Sequence, residues 1–237
     1  MILVYIPARG GSKGVKNKNL KRLGGLPLIH HSLETLSGLI KKYGNHIIPF
    51  ISTDSPEIAN SISKYGFNNE YIRPKKLSDD FASISSGIIH ALDWLKKSKG
   101  ILPDKILILQ PTSPIRDLKD ATNLINFFID NKFESVFSVT PMSEHPNECI
   151  YLNQDKWSYI VKPKQNNMRR QDYFHNYYFM DGSFYMVTDK FLRKNNFLVK
   201  EGISIPFKIN NSFTIDIDNE KDFALAETLL KLKEESI

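Results

Sequence analysis

Cysteine is scarce in this sequence: Cys149 is the only one among 237 residues. A single thiol cannot form an internal disulfide and cannot supply the thiolate ligands of a structural zinc site, which fits a reducing compartment. Apolar runs are short, and none approaches the roughly 20 residues that a membrane-spanning helix requires. The first residues also lack the basic region and long apolar stretch of a signal peptide. We therefore expect a cytoplasmic protein with no membrane partner.

Glycine and proline are also few, with 12 of each, so a collagen-like or low-complexity chain is excluded. Apolar residues make up 41% of the sequence and charged residues 24%, a balance that allows a buried core and excludes a disordered chain. A chain of this length is expected to form one substantial domain, with room for a small appendage.

Acidic residues are missing from two stretches. Residues 1–33 contain six Lys or Arg and residues 156–170 contain five, without an Asp or Glu in either. Because the net charge of the whole chain is +6, the remainder is acidic, with 21 basic against 26 acidic residues. Positive charge concentrated in this way suits a small polyanion, such as a triphosphate or a sugar acid, better than the broad face of a nucleic acid. Two solvated basic stretches without a ligand are the alternative.

Short apolar strands alternate with amphipathic helices over the first 140 residues. The predicted strands cover 2–7, 47–52, 70–72, 105–109 and 135–139, and the predicted helices cover 27–42, 55–65, 83–97 and 118–131. Strands that are apolar on both faces and joined by helices indicate βαβ units. The fold class is therefore α/β, with a mostly parallel sheet and flanking helices.

The pattern changes near residue 141, where an irregular, aromatic and basic stretch begins. Regular structure returns with a predicted strand over 182–187 and a closing amphipathic helix over 220–233. We interpret residues 1–237 as a single α/β domain interrupted by an inserted segment at about 141–181. Such a segment is long for a passive loop, which indicates a functional role.

The loop after the first predicted strand is rich in glycine and cations. In parallel α/β sheets, ligands bind beyond the carboxyl ends of the strands, and this loop lies at such an end. Glycines such as Gly11 let backbone N–H groups approach phosphate oxygens, Ser12 adds a hydroxyl donor, and the cations offset the charge. The spacing matches neither a Walker A loop nor Gly-x-Gly-x-x-Gly, which disfavours P-loop kinases and dinucleotide dehydrogenases. A flexible surface turn is the alternative interpretation.

Four segments in order resemble one known family, the acylneuraminate (sialic acid) cytidylyltransferases. The first is the loop itself, IPARGGSKGVKNKNL, and the second is RPKKLSDDFASISSGIIHAL, which begins at residue 73. The third is LQPTSPIR, over residues 109–116, and the fourth is TIDIDNEKDF, over residues 214–223. Together they span nearly the whole chain, so the resemblance is more specific than any single motif.

The resemblance implies an enzyme that makes a CMP-sugar and pyrophosphate from CTP and a sugar acid, with Mg²⁺, on a nucleotide-diphospho-sugar transferase-like fold. It implies that Arg9 and Lys18 are catalytic, with Lys18 nearest the α-phosphate. Both belong to seven implied nucleotide-binding residues: Arg9, Gly11, Ser12, Lys13, Lys18, Asn19 and Arg73. It implies five residues that bind the sugar acid: Gln110, Arg116, Arg170, Gln171 and Asp181. A turn that precedes Pro74 is the alternative role for Arg73.

Asp216 and Asp218 are separated by one residue, so on an extended strand both carboxylates point to the same side. Two hard oxygen ligands close together suit Mg²⁺, with phosphate and water completing its shell. The resemblance supports a catalytic and metal-binding role for both. An ordinary solvated strand is the alternative.

The inserted segment departs from the family pattern, because Asp181 stands where the family commonly has Asn and no proline precedes it. The sugar acid is therefore left open among the nine-carbon acids of neuraminate, legionaminate and pseudaminate type. The eight-carbon 3-deoxy-manno-octulosonate is the alternative substrate. In the family this segment reaches across a dimer, so a homodimer is implied, in which Arg170 serves its own site or its partner's.

Two other classes of function are weaker interpretations. A nucleic-acid-binding protein is suggested only by the basic pI of 9.2, and the local charge and lack of a recognised motif argue for no nucleic-acid partner. A catalytically silent sugar-nucleotide sensor would not need both the cationic loop and the paired aspartates. We expect His30, His31 and His90 to have structural roles, and Cys149 to act as a small apolar filler.

Overall fold

The computed structural model describes residues 1–12, 14–68, 70–79, 81–162, 176–211 and 213–235 of the chain. Strands and helices alternate along its first 140 residues, as the apolar periodicity predicts. The strands are β1 (Ile2–Pro7), β2 (Arg22–Leu23), β3 (Leu26–Pro27), β4 (Ile47–Ser52), β5 (Lys105–Ile108), β6 (Ser135–Pro141), β7 (Ile150–Asn153), β8 (Lys156–Tyr159), β9 (Tyr178–Thr188) and β10 (Ile205–Lys208). The helices are α1 (Leu28–Tyr43), α2 (Pro56–Lys64), α3 (Ile84–Lys99), α4 (Leu118–Asp130), α5 (Asp189–Asn195) and α6 (Glu220–Glu235).

Within the described residues, six strands form the central sheet in the order β10-β6-β9-β5-β1-β4. β1 pairs in parallel with both β4 and β5, and β10 pairs in parallel with β6. β9 runs antiparallel to both of its neighbours, β5 and β6. The predicted α/β fold with a mostly parallel sheet is therefore confirmed, with β9 as the antiparallel exception.

Two apolar layers cover the two faces of this sheet. Residues of β1 alternate between them: Ile2, Val4 and Ile6 face one layer, while Leu3 and Tyr5 face the other. The first layer is completed by α1, α2 and α4, and the second by α3 and α5. Because the side-chain period of a strand is two, a strand with apolar residues at every position is stable only where both faces are covered.

Local capping explains where two of the helices begin. The Ser55 hydroxyl accepts a hydrogen bond from the Ile58 N–H (3.3 Å), and the Ser83 hydroxyl accepts one from the Ser86 N–H (3.1 Å). Each bond satisfies an N–H group that has no partner within the helix. Both helix starts are those predicted from the sequence, so these boundaries are set locally.

Four parts of the chain differ from the prediction. The strand expected at 70–72 is reduced to one bridge between Thr53 and Ile72, while the β2–β3 pair, α5 and β10 were not predicted. The unpredicted elements are short, with two residues in each of β2 and β3, seven in α5 and four in β10, so their periodicity is too brief to stand out. No helix among the described residues has both the length and the apolar composition that crossing a bilayer requires.

A third, smaller apolar cluster joins the two ends of the chain. Val15 from the glycine-rich loop packs with Ile217, Phe223 and Ala226 from the C-terminal region, together with Leu28 of α1. This cluster brings the loop after β1 against the segment that contains the paired aspartates. The fold therefore places two of the predicted functional segments side by side.

Candidate active site

A cavity of about 410 Å³ lies beyond the carboxyl ends of β1 and β5. Three segments enclose it: the glycine-rich loop, the segment from Arg73 to the start of α3, and the turn that follows β5. Asp218 contributes from the C-terminal region. This is the place at which parallel α/β sheets bind ligands. With Asp218, seven of the predicted site residues line it, the other six being Arg9, Ser12, Lys18, Asn19, Arg73 and Gln110.

Side-chain hydrogen bonds hold the glycine-rich loop in shape. The Gly10 N–H donates to Asp54 Oδ1 (3.0 Å), and Asn19 Nδ2 donates to the Arg9 carbonyl (2.9 Å). Arg9 Nη1 donates across the cavity to the carbonyl of Asp79 (3.3 Å). Gly11 lines a neighbouring cavity of about 410 Å³ together with Gly10 and Asp54. The loop therefore presents cations and backbone N–H groups on a scaffold fixed by partly buried and exposed hydrogen bonds.

Arg73 lies at the base of the cavity and is 7% exposed. Its Nε donates to the Ser52 hydroxyl (2.8 Å) and its Nη2 to the Ser52 carbonyl (2.5 Å), at the end of β4. Tyr5 also lines this region, and burial raises the pKa of its hydroxyl, so the hydroxyl is neutral at physiological pH. A Cβ on Gly87 would lie 3.0 Å from that hydroxyl, so the glycine leaves room at this end. The result is a narrow polar recess.

The segment with the paired aspartates forms the opposite wall. Ile217 is fully buried, whereas Asp216 and Asp218 on either side of it are exposed, which fits the alternation that the sequence predicts. The segment is extended without joining a sheet of the described residues, and the Ile217 N–H donates to the Thr112 carbonyl (2.8 Å). Both carboxylates are therefore presented by a backbone anchored to the turn after β5.

Lys18 links this segment to the glycine-rich loop. Its Nζ donates to the Ile217 carbonyl (2.6 Å) and lies 3.7 Å from Asp218 Oδ1. Gly14 makes the second link, because an added Cβ there would lie 2.0 Å from the Asp218 carbonyl oxygen. Only glycine allows such an approach of two backbones. The cation and the carboxylate are thus held side by side at the cavity wall.

The pKa of Asp216 is raised, first because the group is partly withdrawn from water among protein atoms, and further because the Asp218 carboxylate repels its charge. Lys18 and a hydrogen bond with Thr112 act in the opposite direction. A divalent cation would relieve this repulsion. Among the described residues no group of three or more His, Cys, Asp or Glu forms a complete cage for a metal. Two carboxylates fit Mg²⁺ that takes its other ligands from phosphate and water.

Arg116 and Asp181 lie behind the cavity, with exposed fractions of 8% and 3%. Arg116 donates to protein oxygens, and Asp181 Oδ1 accepts from the Ser138 hydroxyl and the Ser183 N–H, both at 2.8 Å. Direct contact with a sugar acid requires accessible surface, which these two side chains lack in this structure. Gln110, by contrast, faces the cavity.

Three of the predicted site residues, Lys13, Arg170 and Gln171, lie outside the described residues. The histidines have protein partners, as expected. His30 Nε2 contacts the Ser61 hydroxyl (2.9 Å), His31 Nε2 the Leu23 carbonyl (3.0 Å), and His90 Nδ1 the Tyr71 hydroxyl (2.8 Å). Cys149 is partly buried, and its thiol lies 3.6 Å from the His145 carbonyl.

Sequence reasoning missed four residues that shape the site: Gly14, Asp54, Thr112 and Asp222. Asp222 Oδ2 accepts from the N–H groups of Asp218 and Asn219, at 2.8 and 2.9 Å. Its role had a sequence signal, because Asn219-x-x-Asp222 before an apolar run is a variant of the capping box. The other three act through contacts between segments that are far apart in sequence, and no local sequence pattern predicts such contacts.

Comparison with known proteins places this site in context. A family model described as "Cytidylyltransferase" matches residues 3–234. The chain is 31% identical over 236 residues to a pseudaminic acid cytidylyltransferase of Campylobacter jejuni, covering 99% of this chain and 98% of that protein. It is 34% identical over 242 residues to a CMP-N,N'-diacetyllegionaminic acid synthase of Legionella pneumophila, covering 100% and 99%. A solved CMP:2-keto-3-deoxy-manno-octonic acid synthetase complexed with CTP shares the fold, with a TM-score of 0.70 at 17% identity, covering 98% of this chain and 99% of that one.

Proposed function

The chain belongs to the cytidylyltransferase family, and from that premise we propose that it joins CTP to a nine-carbon keto-sugar acid, with release of pyrophosphate. One structural observation supports this reaction independently of the family match. The cationic loop and the paired aspartates, about 200 residues apart in sequence, meet at one cavity through Lys18, whose Nζ lies 3.7 Å from Asp218 Oδ1. Cations and metal-binding carboxylates at one point are what transfer of a phosphoryl group requires.

The nucleotide half of the reaction follows from the cavity walls. The triphosphate would lie along the glycine-rich loop, where Arg9, Ser12 and Lys18 converge with backbone N–H groups. The base would occupy the recess beside Arg73 and Gly87. In this arrangement the charged end of the nucleotide would lie beside Asp218, and its uncharged end would lie against the buried part of the cavity.

The chemistry is an in-line displacement at the α-phosphorus. A hydroxyl oxygen of the sugar acid loses its proton to water and forms the new bond to phosphorus, the bond to the bridging oxygen breaks, and pyrophosphate leaves with the electron pair. Such a step needs positioning and stabilised charge more than covalent help from the protein. Lys18 would carry the largest part of the side-chain contribution, since a cation gains most where charge shifts in the transition state.

Asp216 and Asp218 would hold Mg²⁺, which supplies charge neutralisation on the phosphate oxygens when it is bound. The carboxylates fit this role because they are accessible, adjacent and mutually repulsive without a cation. Asp222 keeps the backbone of Asp218 in place through the two hydrogen bonds at the start of α6.

The named relatives favour a nine-carbon acceptor of pseudaminate or legionaminate type, because both curated proteins act on such acids by name and match nearly the full chain. Neuraminate is a third candidate, and octulosonate is the eight-carbon alternative suggested by the structural neighbour. The test is to incubate the purified protein with CTP and each of the four acids and to measure pyrophosphate. Preference for the octulosonate would overturn the acceptor, and no release with any acid would overturn the reaction.

We also propose that Arg170 and Gln171 bind the sugar acid, as the family resemblance implies. Arg170→Lys keeps the charge but loses the two-pronged geometry that suits a carboxylate. The KM for the sugar acid should rise while the KM for CTP stays near the wild-type value. Steady-state kinetics with each substrate varied in turn measures this, and two unchanged constants would contradict the assignment.

A homodimer is the proposed assembly, with the segment 141–181 at its interface. β7 and β8 form a separate two-stranded sheet whose eight residues are all exposed, and the first residues of β9 are exposed as well. An isolated hairpin of two strands is marginally stable in water, so it needs a surface to pack on. A second copy of the chain would supply that surface. Because CTP is an intracellular nucleotide, the reaction belongs in the cytoplasm.

A further inference from the structure

Arg116 joins three separate parts of the fold from a buried position. Its Nε donates to the Ser183 carbonyl in β9 (2.9 Å), its Nη1 to the Ser32 hydroxyl in α1 (3.1 Å), and its Nη2 to the Gln110 carbonyl at the end of β5. The side chain is 8% exposed, and burial lowers the pKa of its guanidinium to about 9, with Asp181 and Asp216 as the opposing charges. A group buried at such a cost is kept for the contacts it makes.

The Gln110 carbonyl belongs to the turn that forms the floor of the active-site cavity. Gln110, Pro111 and Thr112 all line the cavity, and the Gln110 carbonyl also accepts from the Ser113 N–H (3.1 Å). The Arg116 guanidinium therefore supports this floor from its buried side. Without that donor, the Gln110 carbonyl would keep its hydrogen bond from the Ser113 N–H and lose the one from the guanidinium.

The same turn carries the paired aspartates. The Thr112 carbonyl accepts the Ile217 N–H (2.8 Å), and Ile217 lies between Asp216 and Asp218. A continuous path of hydrogen bonds and two peptide links thus runs from Arg116 through Gln110 and Thr112 to the carboxylates. A shift of the turn by a few tenths of an ångström would be passed directly to them.

We propose that Arg116 is a positioning residue: it holds the turn 110–112, and through that turn it sets the placement of Asp216 and Asp218 toward a divalent cation. The inference rests on the proposed function, because it takes the two carboxylates as the metal ligands. It gives Arg116 a different task from the contact with the sugar acid that the sequence resemblance implies.

The geometry calls for arginine at this position. A planar guanidinium presents N–H donors in several fixed directions, so it can reach a carbonyl, a hydroxyl and a second carbonyl on three elements at once. A lysine ammonium has three donors at a single point on a flexible stem, and it cannot span three acceptors that lie apart. Arg116→Lys therefore preserves charge and removes the bridge.

The experiment compares wild type with Arg116→Lys in full-length protein. The first measurement is the affinity for Mn²⁺ in the presence of CTP, detected by electron paramagnetic resonance. The second is hydrogen exchange of the backbone amides of residues 214–218. We expect Mn²⁺ affinity to fall at least about tenfold, exchange at Ile217 to accelerate, and the KM for the sugar acid to change less than about twofold. Arg193→Lys, whose guanidinium makes exposed ion pairs with Asp93 and Asp189, is the matched control and should leave all three unchanged.

Ser32→Ala provides a second variant if Arg116→Lys does not fold. It removes one of the three acceptors, and it should weaken Mn²⁺ binding in the same direction by a smaller factor. Unchanged Mn²⁺ affinity and Ile217 exchange in the folded variant would overturn the proposal. So would a raised KM for the sugar acid alone, which would indicate direct contact with that substrate. Absence of turnover with any acid in wild type would count against the proposed function, whereas Mn²⁺ binding would still test Arg116.

Discussion

Lys18 connects two segments that are almost 200 residues apart. Its side chain is 13% exposed, donates to the Ile217 carbonyl and lies beside the Asp218 carboxylate. The ammonium is thus withdrawn from bulk water at the point where the proposed reaction shifts charge. In such a place an electrostatic contact is worth more than at an open surface.

Lys18→Ala should lower kcat by about 10²–10³-fold, which corresponds to about 3–4 kcal/mol of transition-state stabilisation. The reason is the loss of a cation beside the α-phosphate when charge moves to the leaving group. Turnover at saturating CTP, followed by pyrophosphate release, measures the effect. Lys21→Ala is the matched control, because Lys21 pairs with Glu220 at the surface, and it should retain turnover. Normal turnover of Lys18→Ala would refute the role of Lys18.

Asp216→Asn and Asp218→Asn should each require far more Mg²⁺ for activity or lose it, because the amide keeps the shape and removes the charge. Activity is titrated against Mg²⁺, with EDTA as the zero point. Glu227→Gln, on an exposed part of α6, controls for the loss of one negative charge. Full wild-type activity in EDTA, or wild-type Mg²⁺ curves for both variants, would contradict the metal assignment.

The same substitutions that lower activity are expected to preserve or raise the thermal stability of the metal-free protein. Because the pKa of Asp216 is raised in the folded state, chiefly by partial burial, its charged form destabilises the metal-free protein at neutral pH. Asp216→Asn should therefore melt at the same temperature as wild type or higher at pH 7 without metal. The difference should disappear as the pH falls below the ordinary pKa of aspartate, about 3.9, where both states bind the proton. Thermal melts in EDTA across this pH range provide the check.

Among the elements, the glycine-rich loop and the aspartate segment behave as one unit. They share an apolar cluster that includes Val15 and Ile217, the Lys18 hydrogen bond, and the close approach at Gly14. No strand pairing among the described residues connects them, so their relative position depends on these few contacts. The relative position of the two segments is therefore sensitive to small changes in side-chain volume where they meet.

Gly14→Ala should force the two segments apart, since the new Cβ would lie 2.0 Å from the Asp218 carbonyl oxygen. We expect kcat/KM for CTP to fall about tenfold or more, a loss of at least about 1.4 kcal/mol, with a higher Mg²⁺ requirement. Gly11→Ala is the comparison, because its Cβ would meet nothing within 4 Å and its N–H is retained. It should lose at most a few-fold. Equal losses in the two variants would show that steric contact at Gly14 is unimportant.

For the whole molecule, exposed large apolar side chains of the described residues are concentrated in the segment proposed as an insertion. Leu152 and Trp157 of the hairpin are 65% and 57% exposed, and Phe179 and Met180 at the start of β9 are 56% and 53% exposed. A concentration of exposed apolar side chains is typical of an interaction site, and it supports the proposed homodimer. The segment would then be stabilised by the assembly more than by its own domain.

Trp157→Glu and Leu152→Glu should convert a dimer into a monomer, because each places a charge on the proposed apolar interface. Sedimentation velocity at micromolar concentration measures the change. Leu102→Glu, at a site that is 62% exposed and outside the inserted segment, is the control and should remain dimeric. A monomeric wild type at these concentrations would contradict the proposal.

Local sequence patterns determine much of this architecture. β1 and β4 have the predicted bounds, α2 and α3 each begin within one residue of the predicted start, and the cationic loop lies at the predicted edge of the sheet. The reason is that periodicity, capping and turn residues act over a few neighbouring residues, so the sequence of each short stretch is sufficient to specify them. Arg9 and Lys18 were predicted at the site from the cation-rich loop and the family resemblance, and Gln110 was predicted from the resemblance alone.

Other features of the fold and the site were decided only by the tertiary structure, because they depend on which distant segments come into contact. The antiparallel insertion of β9, the approach of Gly14 to Asp218, and the burial of Arg116 all join residues dozens to hundreds of positions apart. An arginine near a helix start has the same local sequence whether it faces a ligand or supports a turn from behind. Burial and hydrogen-bond partners separate these roles, and both are properties of packing that no local pattern of residues contains.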